Sequence, residues 1–187
     1  MKKKRLNLNV VLVEPNGPLN VGSIARLCSN FDVNELRIVS PKCDIFSLEA
    51  KKMALKGHKY IDNCKIFNSI EQAIFDCDLV IATCGRIDLS NDIECESPED
   101  ISKWISSFVE INNLGILFGR EDRGLSNNEL LFAHKILNIK TSQNYPSLNL
   151  SHAVSIILYE LNKSSTNNAE KDLQVFDLAS SKQIYES

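Results

Sequence analysis

The chain holds 187 residues, 43% of them hydrophobic and 24% charged, with only 7 Gly and 5 Pro. Those proportions exclude collagenous and low-complexity chains, and the length suits about one domain of roughly 100–200 residues. A formal net charge of −3 argues against a uniformly basic binder of nucleic acid.

In chain order, Leu8–Val13 is a short Val-rich apolar run that reads as a buried strand. Asn20 is placed to cap a helix from Val21 to about Phe31, with apolar residues at 21, 24, 25, 28 and 31. Leu36–Val39 reads as a strand stopped by Pro41, and Ser47 opens a helix to about Leu55, followed by Gly57. Lys65–Phe67 is a short strand. Ser69 with Gln72 predicts a capping box for a helix to Cys77, and Leu79–Thr83 is the next strand. Ser97-Pro98-Glu99-Asp100 combines a cap, a first-position proline and first-turn acids, and predicts a helix to about Glu110. Leu114–Phe118 is a strand, Ser126 with Glu129 is a second capping box for a helix to about Ala133, and Ile136–Ile139 is a strand. A last helix runs from about Leu150 to Leu161. Residues 162–172 are polar and patternless, and Leu173–Ile184 is weakly amphipathic.

Six strands alternating with six helices imply an α/β fold, a mainly parallel sheet with helices on both faces. Ligands of such sheets bind outside the carboxyl ends of the strands, which directs attention to loops 14–20, 84–97, 119–125 and 140–149. The charge is uneven. Residues 1–60 carry 11 Lys/Arg against 5 Asp/Glu, whereas residues 61–100 carry 2 against 10. The basic third includes Lys2–Lys4, Arg5, Lys51, Lys52, Lys56 and Lys59, either solvated positions or a patch that steers an anion. The six cysteines form no C-x-x-C pair and no zinc-type spacing with histidine, so no metal is expected. With no secretory signal and no membrane-length apolar run, they read as reduced thiols of a cytoplasmic protein.

Three strand-to-loop segments carry polar groups. Glu14–Arg26 follows a strand and opens a helix, so its amides could receive an anion, although it fits neither the Walker A nor the G-x-G-x-x-G pattern. On the helical wheel Arg26 lies about 160° from the apolar stripe. It is either a solvated arginine or one aimed at a partner chain or a phosphate. In Ile116–Ser126, Gly119 directly after a strand permits positive φ or a close backbone approach, and Arg120–Arg123 form a dense polar turn. In Tyr145–His152, Pro146 stiffens the turn, and Ser147 and Asn149 are hydrogen-bonding residues at a helix start, where plain capping is the simpler reading. His152 is set aside as structural, and no G-x-S-x-G elbow points to a hydrolase.

In order and spacing, "LNVGSIARLC", "LFGREDRGLS" and "SLNLSHAV" resemble the three motifs of the SpoU, or TrmH-like, branch of the SPOUT RNA methyltransferases, over about residues 8–162. The resemblance implies a deep C-terminal trefoil knot, S-adenosylmethionine as methyl donor, and a homodimer whose active site is shared between chains. It matches Thr83, Cys84, Gly85, Gly119, Ile139, Pro146, Ser147 and Leu148 to the cofactor loops. It matches Asn20, Arg26, Glu121, Ser147 and Asn149 to the polar set assigned to RNA and catalysis. It points to 2′-O-ribose methylation of tRNA, at cytidine or uridine 32 of the anticodon loop. The alternatives are ribosomal RNA as substrate and a non-catalytic RNA-binding homologue. Residues 1–162 would form the methyltransferase domain, and 163–187 a polar linker and the start of a C-terminal extension.

Overall fold

A computed structural model describes residues 6–85, 94–108 and 110–163. The strands are β1 (Asn7–Val13), β2 (Glu35–Val39), β3 (Lys65–Phe67), β4 (Leu79–Thr83), β5 (Cys95–Glu96), β6 (Asn113–Phe118) and β7 (Lys135–Leu137). The helices are α1 (Pro18–Asn30), α2 (Leu48–Ala54), α3 (His58–Asp62), α4 (Ile70–Ile74), α5 (Pro98–Ser106) and α6 (Asn127–Leu130). Residues 150–163 form a further helix, α7. One seven-stranded sheet runs β3-β2-β1-β6-β4-β7-β5, with every neighbouring pair parallel.

The strand sequences account for this order. A strand covered on both faces must be apolar at consecutive positions. Val10, Val11, Leu12 and Val13 of β1 and Leu114, Ile116, Leu117 and Phe118 of β6 are all buried, and these two strands pair at the centre. Alternate residues then feed two cores. Val10, Leu12, Ile116 and Phe118 pack with α1, α5 and α7 residues such as Ile24, Ile101 and Val154. Val11, Val13 and Leu117 pack on the other face with Ile70 and Ala73 of α4 and Leu130 of α6. Short, charged strands form the edges, which discourages pairing with another sheet. Lys65 of β3 pairs with Glu35, and Lys135 of β7 with Glu96 of β5.

Several local expectations are revised. Asn20 is not the cap of α1. The helix starts earlier, with Gly17 at the cap and Pro18 at the first position, so Asn20 lies inside the first turn with its side chain free for other bonds. The helix expected over 47–55 is capped as predicted by Ser47, whose hydroxyl accepts from the Ala50 amide at 3.2 Å. It breaks at Leu55 (φ 50°), and a 3-10 turn over Leu55–Gly57 leads into the unanticipated α3. The expected 69–77 box is half formed. Ser69 accepts from the Gln72 amide, but the Gln72 side chain reaches back to the Asn68 amide instead of that of Ser69. The helix begun at Ser97 ends at Ser106, short of Glu110. β5 adds a seventh strand, and the last strand covers Lys135–Leu137. The readings for Lys2–Arg5, most of loop 84–97 and Leu173–Ile184 fall outside the described residues.

Candidate active site

The carboxyl ends of β4, β6 and β7 and the start of α7 enclose a cleft of about 230 Å³. All eight positions matched to the cofactor loops line it: Thr83, Cys84, Gly85, Gly119, Ile139, Pro146, Ser147 and Leu148. Phe118, Leu137 and Leu150 add an apolar floor, while Glu121, Asp122 and Arg123 bring charge to it.

The loops are fixed by their own hydrogen bonds. Thr83 spends its hydroxyl on the Leu117 carbonyl at 3.0 Å. The Cys84 amide donates to the Leu137 carbonyl at 2.9 Å, and the Cys84 carbonyl accepts from the Asn138 side chain at 2.7 Å. Thr141 donates to the Pro146 carbonyl at 2.8 Å and closes the 141–146 turn. Gly85 is different, because nothing lies within 4 Å of where a Cβ would be. Gly119 does not adopt positive φ. A Cβ there would sit 2.2 Å from the backbone of Gly124 and Leu125, so the close approach it permits is to its own loop. The left-handed residue of that loop is Gly124, at φ +67°.

The polar set assembles in part. Glu121 accepts from the Asn16 amide at 2.9 Å, the Gly17 amide at 3.0 Å and the Asn20 side chain at 3.0 Å. The amides that the sequence offered to an anion at the start of α1 are therefore taken by this protein's own carboxylate, the charge a helix N-terminus favours. Asn20 in turn accepts from the Asn149 side chain at 3.0 Å. The Asn149 carbonyl oxygen accepts from the Ser151 amide at 2.9 Å and the Ser151 hydroxyl at 2.7 Å, so the capping role is real and Asn149 fills it. Ser147 is exposed on the cleft wall. Arg26 does not join the cluster. It is exposed, lies six residues beyond Asn20, or about 9 Å along α1, and has no ion-pair partner among the described residues.

One functional group escaped the sequence reading. Arg120 is not a loose turn residue. Its guanidinium holds Glu129 through both terminal nitrogens at 2.9 Å each and Glu14 through Nε at 2.6 Å. Glu14 also pairs with Lys42 at 3.2 Å. Burial raises the Glu129 carboxyl, but the bonds from Arg120 and Ser126 outweigh it and hold it at about 2. Glu14 is lowered chiefly by its bond to Arg120. The capping box had already singled out Glu129, and it forms in full, with the Ser126 amide donating to Glu129 at 2.7 Å. This clamp joins the end of β1 to the loop that carries Glu121. Among the described residues no group of three or more His, Cys, Asp or Glu could hold a metal ion, and no helix is long and apolar enough to cross a membrane.

Comparison with known proteins gives the arrangement a lineage. The family described as SpoU rRNA Methylase matches residues 7–159. The tRNA (cytidine-2′-O-)-methyltransferase TrmJ of Methanocaldococcus jannaschii is 40% identical over 169 residues, covering 90% of this chain and 73% of that protein. The crystal structure of TrmJ from Z. mobilis ZM4 matches with a TM-score of 0.77 at 29% identity, over 85% of this chain and 70% of the other. The SpoU methyltransferase AviRb of Streptomyces viridochromogenes, solved in complex with AdoMet, shares the fold at a TM-score of 0.66 and 18% identity, over 86% of this chain and 58% of that one. With the family matched over most of its length, this chain belongs to the SpoU methylase family.

Proposed function

We propose that this protein transfers a methyl group from S-adenosylmethionine to a ribose 2′-hydroxyl of tRNA, at the cytidine or uridine of position 32 in the anticodon loop. The observation that carries this is convergence. Eight cofactor-loop positions from four separate segments line one cleft, and the Glu121–Asn20–Asn149 chain stands at its edge. The naming of the 40%-identical relative as a tRNA methyltransferase favours tRNA over ribosomal RNA.

The residues present fit such a methyl donor. The floor of Phe118, Leu137 and Leu150 suits a flat adenine, and the open space at Gly85 leaves room beside the loop. Bound there, the donor supplies a methyl group on a cationic sulfur. The chain's part is to hold the ribose oxygen in line with that carbon, at roughly 3–3.5 Å. Asn20, Asn149, Glu121 and Ser147 orient the polar side of the cleft. Arg26 serves as a phosphate clamp and stabilises the charge developing on the ribose oxygen. It is a poor proton acceptor, because a guanidinium offers donors only and has no lone pair to receive a proton. A nearby RNA phosphate or water takes the proton. Since Arg26 points away from its own domain core, it acts on the cleft of a second copy in a cytoplasmic homodimer with shared sites. Residues 1–162 form this catalytic unit, with a trefoil knot where the family resemblance puts one, and 163–187 begin a C-terminal extension.

Incubation with labelled S-adenosylmethionine and unmodified tRNA, followed by nucleotide mapping, tests the activity. Label confined to ribosomal RNA overturns the substrate. Arg26→Lys is expected to lose at least tenfold in transfer rate, and near-normal rates would remove the guanidinium role. A monomer by light scattering at micromolar concentration would defeat the shared site.

A further inference from the structure

The corner between α2 and α3 is built with more constraint than a solvated helix face needs. At its apex Leu55 adopts φ 50° and ψ −124°, a conformation that a bulky side chain rarely takes. Leu55 is 57% exposed, so little burial offsets the strain. Strain of this kind persists where the surrounding structure over-determines it, and it concentrates at functional sites. Two glycines lock the corner onto α1. A Cβ on Gly57 would lie 2.6 Å from both the Ala25 carbonyl oxygen and the Arg26 Cα, and one on Gly22 would lie 2.3 Å from the Ala50 carbonyl oxygen. His58 bonds back to the Leu55 carbonyl at 2.8 Å and braces the turn.

The corner therefore sits beside Arg26 and presents a ridge of cations. Lys52, Lys56 and Lys59 are exposed, and among the described residues no carboxylate pairs with them. Lys59 lies over the Tyr60 ring, 5.3 Å from its centroid. Two carboxylates belong to the same elements. Asp62 is taken by Lys51 at 3.2 Å, and Glu49 lies in the first turn of α2. With Arg26 and Lys51, five cations thus stand against two carboxylates in a protein whose net charge is −3.

We propose that this ridge is the track on which the phosphodiester backbone of the RNA substrate lies as it approaches the site, an inference that rests on the RNA methyltransferase reading. A polyanion is the partner that rewards a row of unpaired, exposed lysines. Each phosphate neutralised releases counterions and makes binding depend on salt. Gly57 seats the corner directly against Arg26, so a strand whose phosphate is clamped by Arg26 passes beside the flanking Lys56 and Lys59.

The test uses the full chain. Binding of an unmodified tRNA transcript is followed by fluorescence anisotropy across a salt series, for the wild type and for Lys52→Gln/Lys56→Gln/Lys59→Gln combined. At about −0.7 to −0.9 per phosphate contact, the triple variant should lose about 2 to 3 from the slope of log K against log[salt]. Its affinity near 0.1 M salt should fall about tenfold or more, while calorimetric binding of S-adenosylmethionine stays within twofold. The triple Lys→Arg variant should restore the slope, and Lys103→Gln on α5 should leave it unchanged. If the wild type binds tRNA with a steep slope and the triple variant matches it, or if Lys103→Gln loses as much, the ridge is not the track. If the wild type binds no RNA, the RNA reading itself falls and the ridge with it.

Discussion

Glu129→Gln probes the clamp at a single atom. The carboxylate is 18% exposed and Arg120 11%, so the pair is largely out of solvent. Held at about 2 against an ordinary 4.5, Glu129 contributes about 3 kcal/mol of stability at neutral pH. The sign follows from the depressed value. The stabilisation is present above about pH 4.5 and is lost as pH falls through the interval toward 2. Glutamine keeps the size and some of the bonding but loses the charge, while Arg120 retains Glu14 at 2.6 Å. The expected cost is about 3 kcal/mol at pH 7, shrinking to about 2 kcal/mol near pH 3.5 as the wild type gives up part of the same term. Urea unfolding at several pH values, with the m-value checked for constancy, measures both quantities. A loss under about 1 kcal/mol at pH 7, or a gap that does not narrow on acidification, would refute the assigned role of Arg120.

Two other substitutions separate the loop from the polar chain. Gly119→Ala forces a Cβ to within 2.2 Å of the Gly124 and Leu125 backbone, so the loop carrying Glu121 must move. The expected result is a loss of about 2–4 kcal/mol in stability and at least tenfold in S-adenosylmethionine affinity, read by thermal unfolding and calorimetry, and full affinity would show that the loop does not shape the cleft. Asn149→Ala removes the cap on Ser151 and the bond to Asn20, at a cost of about 1 kcal/mol. Its kcat for methyl transfer should fall more than its KM for RNA rises, and a change in KM alone would make Asn149 a binding residue only.

The central sheet was legible because Val10–Val13, Leu79–Ala82 and Leu114–Phe118 are consecutive apolar runs, as a strand covered on both faces requires, and helices alternate with them. Helix starts were legible where the cap chemistry is local, as at Ser97 and Ser126. What escaped depends on tertiary contacts. β5 is two residues long and has no period to detect. The end of α2 near Leu55 was legible, but α3 beyond it was not, because the corner that starts it is set by the fit of Gly57 against α1. The Arg120 clamp links positions 106 residues apart, a separation at which no spacing rule operates. The strand-end rule pointed to the loops after β4, β6 and β7, but the individual cleft residues were legible only through resemblance. They come from four distant segments, and nothing in the periodicity of any one segment says that they meet.

The hydrogen-bond directions in the polar chain constrain the chemistry further. Asn20 donates through Nδ2 to Glu121, so its Oδ1 faces Asn149, which must then present its own Nδ2. That fixes Asn149 Oδ1 toward Ser151, where it already accepts two bonds. Glu121, the strongest acceptor in the chain, has two donors on Oε1 and one on Oε2. An ionised carboxylate has about four acceptor sites, three of them in use here, and taking a proton would remove the charge that strengthens the bonds holding the start of α1. The network is thus committed to orientation, with Glu121 acting as a strut for Asn20. On the methyltransferase reading, the proton of the ribose hydroxyl leaves by a group that arrives with the substrate. A phosphate drawn in by Arg26, or water held beside it, meets that condition without dismantling the site.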